Sequence, residues 1–131
     1  MDRRAATPDQ EWEHAAGGSE NRKYPWGAEE PGARVCWDRE GNDLGKGKRK
    51  STCPVGSHPG ADSRFGLHDM AGNRWQWTSI DHGNQGEKLF RGGSWDESDP
   101  TYLKTRFGPS LATHIWNSVG VRCAQSAPAL R

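Results

Sequence analysis

No apolar run in this chain is long enough to span a bilayer, and no stretch sustains a helical hydrophobic period. There is no alternation of strand and helix patterns either. Helix bundles, doubly wound sheets and membrane-spanning helices are therefore excluded. Net charge is only +1, so no global field recruits nucleic acid or a membrane surface. No signal peptide opens the chain. Met1-Asp2-Arg3-Arg4 reads as a bare cytoplasmic start or a cut within a longer protein, which makes the cytoplasm the default location. No G-x-S-x-G elbow and no P-loop occurs. Three cysteines contain no C-x-x-C pair, which argues against zinc. The five histidines show neither H-x-x-x-H nor facial-triad spacing and read as exposed loop residues.

Hydrophobic residues make up only 31% of the 131, and mean hydropathy is −1.03. That composition alone leans towards disorder. Seven tryptophans point the other way, since each buries a large area. Seventeen glycines and eight prolines imply one loop-rich α+β domain over residues 1–131, with short antiparallel strands and one or two short helices.

Thr7-Pro8-Asp9-Gln10 predicts a helix start, with Thr7 as N-cap and Gln10 closing a capping box. Trp12, Ala15 and Ala16 then share a face, and Gly17-Gly18 ends the helix. Trp26, in Tyr24-Pro25-Trp26-Gly27, reads as a core anchor. Val35-Cys36-Trp37 and Thr52-Cys53-Pro54-Val55-Gly56 read as strands at the base of a polar loop. Within that loop, Lys46 to Lys50 is a solvated basic tip rather than a nucleic-acid patch, because it lacks interleaved aromatics. Cys36 and Cys53 flank the loop. A disulfide there would stabilise by roughly 3 kcal/mol, but a reduced pair is the favoured expectation for a cytoplasmic chain.

Phe65, Leu67, Met70, Trp75 and Trp77 supply apolar anchors around Gly72-Asn73, a dipeptide suited to positive φ. Trp75-Gln76-Trp77 reads as a strand, and Leu89-Phe90-Arg91 as a strand running into Gly92-Gly93-Ser94-Trp95. Gly120 to Ala124 reads as the last strand. The alternation Val119/Val121/Cys123 turns Cys123 inward as a buried structural thiol.

Three of these pieces occur together in order: Gly66-Leu67-His68-Asp69-Met70-Ala71-Gly72-Asn73-Arg74-Trp75-Gln76-Trp77, Arg91-Gly92-Gly93-Ser94-Trp95, and Val119-Gly120-Val121-Arg122-Cys123-Ala124. In combination they resemble the formylglycine-generating-enzyme/sulfatase-modifying-factor family, from about Arg4 to Ala124. The resemblance implies that family's C-type-lectin-like fold, amino-terminally trimmed here. It also leaves room for a homo-oligomer or a completing amino-terminal partner.

The family's oxidase binds copper through two cysteines shortly after R-G-G-S. The matching positions here are Glu97 and Tyr102, and neither offers the thiolate that soft Cu(I) needs. The related iron-dependent sulfoxide synthases take their metal-binding histidines from a separate helical domain, absent from this chain. The resemblance therefore implies a chain without catalytic residues, with no required cofactor. It further implies a structural calcium loop made of Asp69, the carbonyls of Gly72 and Arg74, and an acid at position 76. Gln76 stands in that place, so the loop is either a weakened calcium site or a turn capped by Asp69.

With catalysis set aside, the irregular segment 95–118 becomes the candidate binding surface. Aromatics among small polar residues there resemble an antibody-like paratope. Its candidate ligand contacts are Trp95, Asp96, Glu97, Ser98, Asp99, Tyr102, Lys104, Phe107, His114 and Trp116. Variable proteins of diversity-generating retroelements have the same fold and the same motif borders, which makes this segment resemble their variable region. The expected function is recognition of an unknown protein or small-molecule target. The alternatives are an oxidase or sulfoxide-synthase-type enzyme, and an accessory sensor module of a larger signalling protein.

Overall fold

In a computed structural model, the structure describes residues 4–38, 49–79, 89–108 and 118–127. The one α-helix described, α1 (Asp9–Gly17), follows a short strand, β1 (Arg4–Ala6). Strands β2 (Trp75–Thr78), β3 (Leu89–Arg91), β4 (Val119–Val121) and β5 (Cys123–Gln125) come later. Three 3-10 turns lie between, at Gly32–Arg34, Pro59–Ala61 and Pro100–Leu103. Strand β2 is central in a three-stranded sheet, antiparallel to β3 and parallel to β4. Strands β1 and β5 form a separate antiparallel pair.

The predicted strands at Trp75 and Leu89 are present. The final strand is two strands rather than one. Arg122 sits between β4 and β5, and the chain changes sheet there. That switch upsets the expected alternation: Val121 is about half exposed and Cys123 is exposed on β5, so Cys123 is not a buried structural thiol.

Helix α1 begins one residue later than the capping box predicts. Pro8 takes the N-cap position without a side-chain cap, while the Thr7 hydroxyl donates to the Arg122 carbonyl at 2.7 Å. Thr7 N–H donates to the same carbonyl, and Ser79 N–H donates to Thr7 O. Thr7 is thus spent on joining the two sheets, a tertiary demand that overrides its local capping preference. At the other end Gly18 closes the helix with φ +68°, as the Gly-Gly pair predicts.

Among the described residues, two small apolar clusters form the core. Trp12, Ala16 and Met70 pack beneath the helix, with Leu67 and Ala15 against them. Tyr24, Val35, Trp37, Ala61, Ala71 and Leu103 form the other, and half-buried Trp26 stacks on Tyr24 at 4.8 Å. Phe65, expected as an anchor, is 54% exposed. Val35–Trp37 and Thr52–Gly56 are extended or bent chain, not strands. Their backbone groups bond to turns instead: Asn73 N–H donates to Cys36 O, and Cys53 N–H donates to the Asn73 side-chain oxygen.

Cys36 and Cys53 are joined by a disulfide, against the favoured expectation of a reduced pair. Both flank the turn at Asn73, which holds the two segments side by side. The basic tip falls at its start outside the described residues. At its end, Arg49 donates to Trp37 O at 3.1 Å and its backbone N–H to an Asp38 carboxylate oxygen at 3.0 Å, so this residue is part of the packed structure.

An ion pair between a buried arginine and a half-buried aspartate ties the helix to the sheet. Arg91 on β3 grips Asp9 with two hydrogen bonds, Nε–Oδ1 at 2.8 Å and Nη2–Oδ2 at 2.6 Å, and Thr78 adds a third to Asp9 Oδ1. Burial alone would raise the Asp9 carboxyl. The hydrogen bonds from Arg91 and Thr78, and the Arg91 charge, outweigh it and hold the group below its ordinary value.

Breaking this pair by Arg91→Met leaves a half-buried carboxylate without its cation and is expected to cost up to about 3 kcal/mol in urea unfolding, the low end of the range for buried pairs. Because the folded state favours the charged carboxylate, the stabilisation from Asp9 is complete above its ordinary value of 3.8 and declines as pH falls below it. A melting-temperature profile should lose that acidic component in the Arg91→Met chain. Reduction of Cys36–Cys53 should independently lower the unfolding free energy by roughly 3 kcal/mol, read by urea titration with and without dithiothreitol.

Candidate functional site

The segment after β3 is set by three backbone features. Gly92 and Gly93 both adopt positive φ, and a Cβ on Gly93 would lie 2.8 Å from Leu103 Cδ2. Gly72 N–H donates to Gly92 O at 2.7 Å, and Trp95 N–H donates to Asn73 O at 2.9 Å. The double-glycine turn is thus laced to the 72–73 turn on one side and packed on the 3-10 turn Pro100–Leu103 on the other. Ser94 is fully buried and its hydroxyl donates to an Asp96 carboxylate oxygen. Asp99 caps the 3-10 turn by accepting from Thr101 N–H at 2.9 Å.

Glu97 is committed to the fold rather than to solvent. Its Oε1 accepts from the buried Trp75 indole at 3.1 Å, and its carbonyl accepts from Asp38 N–H. Tyr102 meets the edge of Trp75 at 6.0 Å between ring centroids, and Phe107 stands edge-on to Tyr102 at 5.0 Å. Trp75, Tyr102 and Phe107 therefore form a continuous aromatic ladder from core to surface, where Tyr102 and Phe107 are half-exposed. Trp95, Ser98 and Lys104 are also half-exposed beside it. Of the ten predicted contacts, Asp96, Glu97 and Asp99 bond within the segment or to the core, and His114 and Trp116 lie outside the described residues.

The two positions matched to copper ligands do not fit that ion. Glu97 is a hard oxygen donor already bonded to an indole, and Tyr102 packs in the ladder. All three cysteines are elsewhere, two in the disulfide and Cys123 on β5.

The expected calcium loop has a different centre. Gln76 is buried, and its amide oxygen accepts from Trp12 Nε1 at 2.9 Å and from Arg122 Nε at 2.8 Å. Its amide nitrogen donates to the Asp69 carbonyl at 2.7 Å. Asp69, at φ +55°, accepts from Gly56 N–H through its carboxylate at 3.0 Å. Arg122 also donates to the His68 carbonyl. The residues present do not fit calcium: the side-chain oxygen at position 76 faces two donors, and the cleft that holds the one carboxylate is also lined by two guanidinium groups. Among the described residues no cluster of three acidic, His or Cys side chains is set to hold a metal.

Beside this network is an open cleft of about 260 Å³, lined by Val55, Asp69, Arg74, Gln76, Val121 and Arg122 among others. Sequence reasoning missed Val55, Val121 and Arg122 as site residues. The signal for Arg122 was its place in the last motif, but nothing in the local pattern announces that the chain changes sheet at that residue.

Residues 7–127 match the family described as sulfatase-modifying factor enzyme 1-like domain. The chain belongs to that family. Its fold is the family's α+β, C-type-lectin-like architecture. Inactive C-alpha-formylglycine-generating enzyme 2 of Mus musculus is 33% identical over 133 residues, covering 91% of this chain and 42% of the relative. A formylglycine-generating enzyme of Mycobacterium tuberculosis is 40% identical over 80 residues, covering 54% of this chain and 25% of that protein. The family thus includes relatives named as inactive and relatives named as enzymes. The chain spans well under half the length of these curated relatives. In fold it is similar to PvdO from Pseudomonas aeruginosa (TM-score 0.73, 20% identity, 96% of this chain and 54% of that one). Treponema denticola variable protein 1 shares the fold at TM-score 0.64 and 17% identity, over 92% of this chain and 46% of the other. No described helix is long and apolar enough to cross a membrane.

Replacing Gln76 with Leu should strand the Trp12 indole N–H, the Arg122 Nε–H and the Asp69 carbonyl. With about 1–3 kcal/mol lost for each buried group left unsatisfied, the expected destabilisation is at least ~3 kcal/mol by urea unfolding.

Proposed function

We propose that this chain is a non-catalytic ligand-binding member of the family, using segment 95–118 to recognise a protein or small-molecule target. The observation that carries the reading is the state of Glu97 and Tyr102. Where the resemblance calls for two thiolates, one residue hydrogen-bonds the Trp75 indole and the other extends an aromatic ladder to the surface. A ladder rooted in a buried tryptophan presents Tyr102 and Phe107 at low entropic cost, which is what a binding surface needs. The rigid glycine border at Arg91–Trp95 holds the start of the segment in place while leaving its outer side chains free to differ.

The relative named inactive and the fold shared with a variable protein both support this reading. The finer proposal is a variable protein of a diversity-generating retroelement, whose diversified positions would lie between Trp95 and Ser118. A net charge of +1 favours a protein or small molecule over nucleic acid as the target. The Cys36–Cys53 bond suits an oxidising compartment better than the cytoplasm expected from sequence.

Peptides selected from a random display library against the intact chain provide the probe. Tyr102→Ala and Phe107→Ala should each weaken them by about tenfold or more, the scale of an interface anchor, with melting temperature largely kept. Copper-dependent oxygen consumption with a cysteine-containing peptide would overturn the reading in favour of an oxidase. So would selected peptides insensitive to both aromatic substitutions.

A further inference from the structure

The cleft beside Gln76 carries charge of the same sign as the cation its loop is expected to host. Two guanidinium groups, Arg74 and Arg122, line it against one carboxylate, Asp69. Among the described residues no acid forms an ion pair with either arginine. Arg74 is exposed, and its Nη1 donates to Val119 O at 3.3 Å, leaving its other donors to the cleft and solvent. Arg122 is held flat by Gln76 at Nε and the His68 carbonyl at Nη2. An arginine carries five N–H donors, so a guanidinium fixed through two nitrogens still offers the third. Burial lowers the Arg122 pKa from its ordinary value, against a smaller opposing pull from Asp69. The group remains a cation short of water.

The walls are apolar. Val55 is 84% exposed and Val121 is 52% exposed, and only Phe65 joins them as a large exposed hydrophobic among the described residues. Two such side chains on one cleft mark a surface suited to contact. At about 260 Å³ the space lies just below the range of drug-sized pockets and suits a group of a few heavy atoms.

We propose that this cleft binds a small aliphatic carboxylate, its oxygens on Arg74 and Arg122 and its hydrocarbon stem between Val55 and Val121. The site goes beyond the aromatic ladder and uses none of its residues. A planar carboxylate matches the guanidinium fork better than a spherical anion does. A divalent cation would have to enter against two positive charges.

Nitrogen- and methyl-detected NMR of the intact chain tests this with butyrate, n-butylamine and calcium chloride. Butyrate is expected to shift the Arg74, Arg122, Val55 and Val121 side-chain signals saturably, with a millimolar dissociation constant, as so small a ligand allows. Butylamine should leave them unmoved. Arg74→Gln should weaken butyrate by about tenfold, the loss of one charge-assisted contact, and Val121→Glu should abolish binding by placing a carboxylate on the wall. Both positions are exposed, so an unchanged melting temperature would confirm folded variants. A peptide ending in valine that binds more tightly than butyrate assigns the carboxylate to a polypeptide end, and a weaker one assigns it to a free acid. Four results would each overturn the proposal: no saturable shift with butyrate, equal shifts with butylamine, no effect of Arg74→Gln, or saturable calcium binding reported by Asp69.

Discussion

The buried amide of Gln76 is the junction on which the other elements depend. It reaches Trp12 in the helix, the Asp69 carbonyl in the turn, and Arg122 between the last two strands. An amide offers two donors and an oxygen with two lone pairs. Here both lone pairs and one donor serve parts of the chain that are 64, 7 and 46 residues away. No apolar side chain of similar size joins three segments in this way. Being directional, these bonds also fix the angle at which α1 crosses β2, which burial alone leaves loose.

Such junctions matter because the apolar core is small and divided. The cluster under the helix is three buried side chains, and the second cluster is six. A chain with 31% hydrophobic residues has little more to bury. Directional contacts fill the gap: Arg91 and Thr78 on Asp9, Thr7 on Arg122, Trp75 on Glu97. Each joins segments far apart in sequence, and each is a buried or half-buried polar group whose desolvation is offset by its partner. The same arithmetic explains the glycines. Without bulk to hold the turns, the backbones themselves approach, as where a Cβ on Gly72 would lie 2.5 Å from Cys36 O.

Legibility followed the range of the interaction. The Gly72-Asn73 turn, the strands at Trp75 and Leu89 and the Gly18 stop depend on local φ preferences and side-chain type, and the sequence displays both. Thr7 was misread because a distant carbonyl competes for its hydroxyl, and a capping box records only local partners. Cys123 and Val121 were misread because an alternation assumes one sheet, whereas the chain leaves one sheet for another at Arg122. The cysteine pair was misread through an assumed compartment, although the Asn73 turn that holds both segments was itself legible. The cleft is legible on one side alone: Asp69, Arg74 and Gln76 belong to the loop that the motif singles out, whereas Val55 and Val121 come from two other stretches and share no period with it.

The aromatic ladder and the Gln76 junction obey one logic. At position 97 and at position 76, the resemblance places a residue that binds an ion. In this chain Glu97 accepts from an indole, and Gln76 accepts from an indole and a guanidinium. In both places a tryptophan N–H, buried in the core, donates to the side-chain oxygen of the residue that stands at the ion-binding position. Internal hydrogen bonds of this kind hold their segments whatever ion is in solution, whereas a liganded loop is ordered only while its ion is bound. A scaffold closed in this way keeps its turns fixed as the side chains outside them change.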